Sequence, residues 1–147
     1  MARRRSREHA LQLMFQWDQR PAPHEEILKG YYGSLLVGDD ATAAARPDPF
    51  AEALFHGVTA NVAAVDAQIT KHAQNWRIER MPAVDRNILR LAGYELLFTD
   101  TPPAVAIDEA LELTRTFSGD ESVQFVNGVL DAIRRELAGN VNAGATL

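Results

Sequence analysis

The stretch from Pro82 to Phe98 constrains the fold more than any other part of this 147-residue chain. Val84, Ile88, Leu89, Leu91, Ala92, Tyr94, Leu96, Leu97 and Phe98 are spaced so that apolar side chains cover most of a helix circumference. Such a helix is stable in water only when other elements surround it, so it is expected to be central. Met81-Pro82 bounds it on one side and Thr101-Pro102-Pro103 on the other, because proline interrupts a running helix.

The flanking sequence predicts about seven helical segments and no strand. The first spans about Arg4 to Gln19, with Ala10, Leu11, Met14 and Trp17 at helical spacing and Leu13 and Phe15 widening the stripe; Pro21 and Pro23 end it. A second covers about Glu25 to Leu36. Asp39 to Pro49 reads as a loop, with the irregular stretch placed at 37–48. Asp48 then suits an N-cap and Pro49 a first helical position. A 3.6-residue period runs from Phe50 through Ile69 to about Asn75, in one kinked helix or two. Val105 to Phe117 forms the next helix. Ser118 to Ser122 reads as a turn whose Ser122 caps the last helix, which carries Phe125, Val126, Val129, Leu130, Ile133 and Leu137. Residues 1–3 and 139–147 are expected to fray around a single domain spanning 1–147.

Gly57, Gly93 and Gly128 fall inside these periodic segments, where glycine costs about 1 kcal/mol against alanine. Close crossing of helix axes would account for them. Asn127-Gly128 is the sharpest case, because that dipeptide ordinarily signals a hairpin turn.

Charge is distributed unevenly. The net charge is −5, yet residues 1–20 carry five arginines against Glu8 and Asp18, a local balance of +3, and the remainder stands at −8. A cationic arm on an anionic body confines any nucleic-acid contact to one patch and leaves surface for a basic protein. Arg3-Arg4-Arg5-Ser6-Arg7 is the strongest functional signal, since guanidinium groups grip phosphate in two-pronged fashion and stack on bases. An inert solubilising tail is the plain alternative.

Signs of catalysis or metal binding are weak. There is no cysteine, and His9, His24, His56 and His72 form no i, i+4 pair. Asp108, Glu109 and Glu112 cluster on one helical turn, but acids near a helix start favour the macrodipole without any chemistry. No phosphate-binding glycine loop or nucleophile elbow is present. No apolar run is long enough to cross a membrane as a helix. The chain is therefore expected to be a cytoplasmic non-enzyme without metal or cofactor.

Several motifs carry a resemblance. Arg3-Arg4-Arg5-Ser6-Arg7-Glu8 followed by Ala10-Leu11-Gln12-Leu13 resembles the opening of the NusB family of bacterial transcription antitermination factors. Asp85-Arg86-Asn87-Ile88-Leu89-Arg90-Leu91-Ala92 with Tyr94-Glu95-Leu96 resembles the central helix of that family. Pro103-Ala104-Val105-Ala106-Ile107-Asp108-Glu109-Ala110 and Phe125-Val126-Asn127-Gly128-Val129-Leu130-Asp131 resemble its last two helices.

The resemblance implies an all-α fold of two three-helix bundles sharing the N-terminal helix. It implies binding of single-stranded boxA RNA from rRNA leaders together with NusE, a small-subunit ribosomal protein, within the RNA polymerase antitermination complex. RNA contacts would fall on Arg3, Arg4, Arg5, Arg7, Phe15, Asp120, Glu121, Ser122 and Phe125. The ribosomal protein would meet Glu79, Arg80, Asp85, Arg86 and Arg90. Phe15 stands where a tyrosine is common in the family and Gln124 where a basic residue is frequent, which weakens RNA contact by the chain alone and raises the partner's share. A homodimer burying the cationic face would mask it. The alternatives are a protein-interaction scaffold without direct RNA binding, the non-catalytic helical domain of some rRNA cytosine methyltransferases, and a helical enzyme using Asp108, Glu109 and Glu112.

Overall fold

A computed structural model describes residues 2–34 and 47–145, with side chains described for 3–34 and 47–140. The described residues form seven α-helices and one 3₁₀ turn, and no strand. The chain makes two compact units, Met1–Thr59 and Ala60–Leu147.

The first unit holds α1 (Ala2–Gln19), α2 (His24–Ser34) and α3 (Pro49–Ala60). Ala10, Leu11, Leu13 and Met14 of α1, Ile27 and Tyr31 of α2, and Ala51, Leu54, Phe55 and Val58 of α3 are all buried. The expected cap of α3 is present: Asp48 Oδ1 accepts the Ala51 backbone N–H at 3.1 Å, and Pro49 begins the helix. The same carboxylate ties α1 to that cap, because Oδ1 also accepts the Ser6 hydroxyl at 3.0 Å and Oδ2 lies 3.1 Å from His9 Nδ1. Burial pushes Asp48 toward protonation, but the bonds from Ala51, Ser6 and His9 outweigh it and hold its pKa below the ordinary value. Of the loop expected over 37–48, residues 37–46 lie outside the described residues.

The second unit holds α4 (Val62–His72), a 3₁₀ turn (Ile78–Arg80), α5 (Ala83–Phe98), α6 (Pro103–Phe117) and α7 (Asp120–Ala145). The long period after Phe50 thus resolves into two helices broken at Asn61. Helix α5 packs against α4, α6 and α7, as its all-round apolar pattern requires. Nine of its sixteen residues are buried, but four of those are Asp85, Asn87, Arg90 and Glu95, so polar groups share the core with Ile88, Leu89 and Leu91. Phe98, expected inside, is 48% exposed at the end of the helix.

Three expectations about ends and caps are corrected. Helix α1 begins at Ala2, so Arg3 is helical, and α7 continues past Gly139 to Ala145. Helix α7 starts at Asp120, which puts Ser122 within its first turn instead of at its cap. The glycines divide. A Cβ on Gly93 would stand 3.2 Å from Val65 Cγ1, a true close approach of α5 to α4, whereas a Cβ on Gly128 would meet nothing within 4 Å. Close crossing therefore accounts for Gly93 and not for Gly128.

Candidate nucleic-acid interface

Helix α1 starts against its own electrostatics. Its first turn contains no acid and three arginines, although the positive end of the helix dipole favours anions there. A phosphate would relieve this repulsion, and the unpaired N–H groups of the first turn would add donors.

The arginines are not equivalent. Arg3, Arg4 and Arg5 are exposed, while Arg7 is only 5% exposed. The guanidinium carbons of Arg3 and Arg7 lie 4.7 and 5.4 Å from the centre of the Phe50 ring, where the aromatic face attracts a cation. Phe50, one residue into α3, was not singled out from the sequence, and no local pattern could have paired it with residues more than forty positions away. Arg7 was expected to meet RNA; its burial on Phe50 makes it first a fastener between α1 and α3. Phe15 is 39% exposed further along α1. It opens onto a surface hollow of about 600 Å³ at the α1–α2 corner, shared with Gln16, Gln19 and Arg20.

In the second unit, Asp120 and Glu121 are exposed in the first turn of α7, where they stabilise the helix through its dipole. Ser122 is turned inward. Its hydroxyl donates to Asp85 Oδ2 at 2.8 Å, and the Ser118 hydroxyl donates to Asp85 Oδ1 at 2.6 Å. The two serine oxygens are 3.0 Å apart, each spending its one proton on a different carboxylate oxygen. Phe125 is half-buried, with its ring 5.9 Å from that of Trp76 at 55°. Trp76 escaped the sequence reading, although an indole followed directly by Arg77, between two helices, was a usable signal. It is 52% exposed, and the preceding Asn75 takes the left-handed backbone conformation, φ 70°.

The residues expected to face a protein partner separate likewise. Glu79 and Arg80 are exposed on the 3₁₀ turn. Asp85 is 3% exposed and holds the two serines. Arg90 is 8% exposed and grips Asp66 through two bonds of 2.9 Å, with a third to Asn87 Oδ1 at 3.2 Å. Arg86 donates to the carbonyls of Ile78 and Met81. Asp85, Arg86 and Arg90 thus make these bonds inside the unit, bracing the 3₁₀ turn, α4 and the start of α7. Buried charges need such pairing, which explains why α5 can carry them.

The acidic trio shows no shared arrangement. Asp108 is exposed and Glu112 is bonded to Arg115 at 2.7 Å. Among the described residues, no three His, Cys, Asp or Glu side chains are grouped to hold a metal ion, and no helix is long and apolar enough to cross a membrane.

The profile of the NusB family matches residues 4–135. The transcription antitermination protein NusB of Solibacter usitatus is 54% identical over 136 residues, which cover 92% of this chain and 90% of that protein. That of Koribacter versatilis is 46% identical with the same coverage of 92% and 90%. Among solved structures, T. maritima NusB superposes with a TM-score of 0.74 at 36% identity, covering 91% of each chain. A chain in the crystal structure of antitermination factors NusB and NusE in complex with dsRNA gives a TM-score of 0.76 at 26% identity, covering 92% of this chain and 97% of that one. With the all-helical architecture and the cationic opening of α1, these matches show that the chain belongs to the NusB family.

Proposed function

We propose that this chain is a cytoplasmic, non-enzymatic transcription antitermination factor that binds boxA-type single-stranded RNA of rRNA leaders together with the ribosomal protein NusE. One observation carries the RNA contact: the first turn of α1 contains no acid and presents exposed Arg3, Arg4 and Arg5, and the same helix exposes Phe15. Cations plus an accessible aromatic ring suit an unpaired strand, whose bases are free to stack, better than a duplex. The structural neighbour in complex with NusE and double-stranded RNA supports a nucleic-acid role for this fold.

Phosphates fall to Arg3, Arg4 and Arg5, with Arg7 fixing α1 beneath them. Phe15 and Phe125 stack bases. Asp120 and Glu121 repel phosphate and accept from base N–H groups or ribose hydroxyls, so their part is to steer which edge faces the protein. NusE meets Glu79 and Arg80, on the turn that Arg86 braces.

A gel shift with boxA RNA and a scrambled control, with and without NusE, tests this. A shift selective for boxA, strengthened by NusE, is expected. Each arginine that neutralises a phosphate adds about −0.7 to the slope of log affinity against log salt, so three give about −2. A scaffold without direct RNA binding draws on the engagement of Arg3 and Arg7 with Phe50. No shift of either RNA, with or without NusE, would favour it, and equal shifts for boxA and scrambled RNA would overturn the boxA selectivity.

A further inference from the structure

We propose that the hollow at the α1–α2 corner is a pocket for one unpaired nucleobase carrying an exocyclic amino group, adenine fitting best; this rests on the RNA reading above. Helix α1 exposes Arg4, Gln12, Phe15, Gln16 and Gln19. At 100° per residue these five fall on one side of the helix, over about 22 Å of axis. The strip changes chemistry along its length. Its N-terminal end offers cations and free N–H groups, which take phosphate. Its C-terminal end offers an aromatic ring and two neutral amides, which take a base with N–H donors.

The hollow has a volume of about 600 Å³ and is lined by Phe15, Gln16, Gln19, Arg20, Pro21 and Glu26 among others. That size falls within the range of small-molecule pockets. Phe15, 39% exposed, supplies a stacking face. A glutamine amide pairs a donor with an acceptor and meets the adenine edge in two bonds; uracil can also return two through N3–H and a carbonyl, so the preference for adenine comes from the larger purine face over Phe15. Arg20 provides a cation for the phosphate on its side, and Glu26 excludes phosphate from the other, which orients the nucleotide.

The test uses the full chain with NusE and fluorescence anisotropy on a boxA 12-mer, together with a series in which each base in turn is removed to leave an abasic sugar. The wild type should lose about tenfold in affinity at one position, the scale of one stacked base. The Gln16→Ala/Gln19→Ala variant should bind the intact RNA more weakly and lose less than wild type on removal of that same base, because Phe15 still stacks on it. Purine in place of adenine there should reproduce part of the loss. Both substitutions are on an exposed helical face and raise helix propensity, so folding is not at risk. The pocket is refuted if the variant matches wild type on intact RNA, or if its penalty adds equally to every abasic RNA. Binding of no RNA by wild type would instead remove the reading on which the pocket rests.

Discussion

Asp85 and Ser122, 37 residues apart in sequence, are joined by a hydrogen bond of 2.8 Å that fixes the start of α7 to the start of α5. Asp85 also holds Ser118, so one carboxylate with 3% exposure sets the corner that precedes Phe125. Asp85→Ala leaves two hydroxyls without their acceptor and should cost about 1–3 kcal/mol, with Ser122→Ala costing less because Asp85 keeps one donor. Urea denaturation gives both values; equal midpoints for Asp85→Ala and wild type would show that the corner is held otherwise.

The Asp48 carboxylate serves two helices, capping α3 and receiving Ser6 of α1. Asp48→Ala should destabilise by about 1–2 kcal/mol through the cap alone. The pH dependence has a definite sign. The folded-state pKa of Asp48 lies below its ordinary 3.8, so the stabilisation is complete above that value and is lost as pH falls through the folded one. The variant should therefore show a smaller loss of stability than wild type on acidification below pH 4. Parallel curves for the two proteins would contradict this.

His24 and His56 place their Nδ1 atoms 2.6 Å apart with the rings stacked, so one nitrogen must carry the shared proton and the other must lack it. Burial first, and the charge of His56 second, lower the pKa of His24 below 6.5. The unfolded chain then binds its proton before the folded one does, so stability is full above pH 6.5 and declines as pH falls through the folded value. Urea midpoints measured between pH 7.5 and 5 should fall for wild type and fall less for His24→Gln. An identical slope would assign the effect to other groups.

Tyr31 is 2% exposed and, among the described residues, its hydroxyl has no hydrogen-bond partner. Burial, then the neighbouring Tyr32 and Asp48, push its pKa up to about 12, so it stays protonated and gains no charge interaction near neutrality. Removing an unsatisfied polar atom while keeping the ring should leave stability unchanged or raise it slightly, within about 0.5 kcal/mol. A clear loss in Tyr31→Phe would reveal a partner for that hydroxyl.

What the sequence disclosed follows from the range of the interactions. The Asp48-Pro49 cap, the proline break before α5 and the all-round apolar pattern of α5 depend on residues within a turn or two of one another, and each was readable. The burial of Arg7 on Phe50, of Arg90 on Asp66 and of Asp85 on Ser118 and Ser122 depends on pairs separated by 24 residues or more. Charged side chains in a helix look alike in sequence whether they face solvent or a buried counter-group. Membership of the family located the arginine-rich end of α1 but did not distinguish exposed Arg4 and Arg5 from Arg7. Trp76 was missed because its neighbours form no periodic segment; it stands beside the left-handed backbone of Asn75, between α4 and the 3₁₀ turn.

Two of the interior glycines, Gly93 and Gly128, give a final, paired prediction. Gly128 lies on an exposed stretch of α7 with open space where a Cβ would be, so Gly128→Ala should recover the helix-propensity difference and stabilise by about 1 kcal/mol. The same change at Gly93 sets a methyl 3.2 Å from Val65 Cγ1, and Val65 is fully buried with little room to retreat. Overpacking of this kind costs about 1–3 kcal/mol and should cancel or exceed the propensity gain. Gly128→Ala should therefore be the more stable of the two in urea. If it is also weakened in the boxA gel shift, the bare helix surface beside Phe125 serves a bound strand; unchanged binding would leave Gly128 with no role in RNA contact.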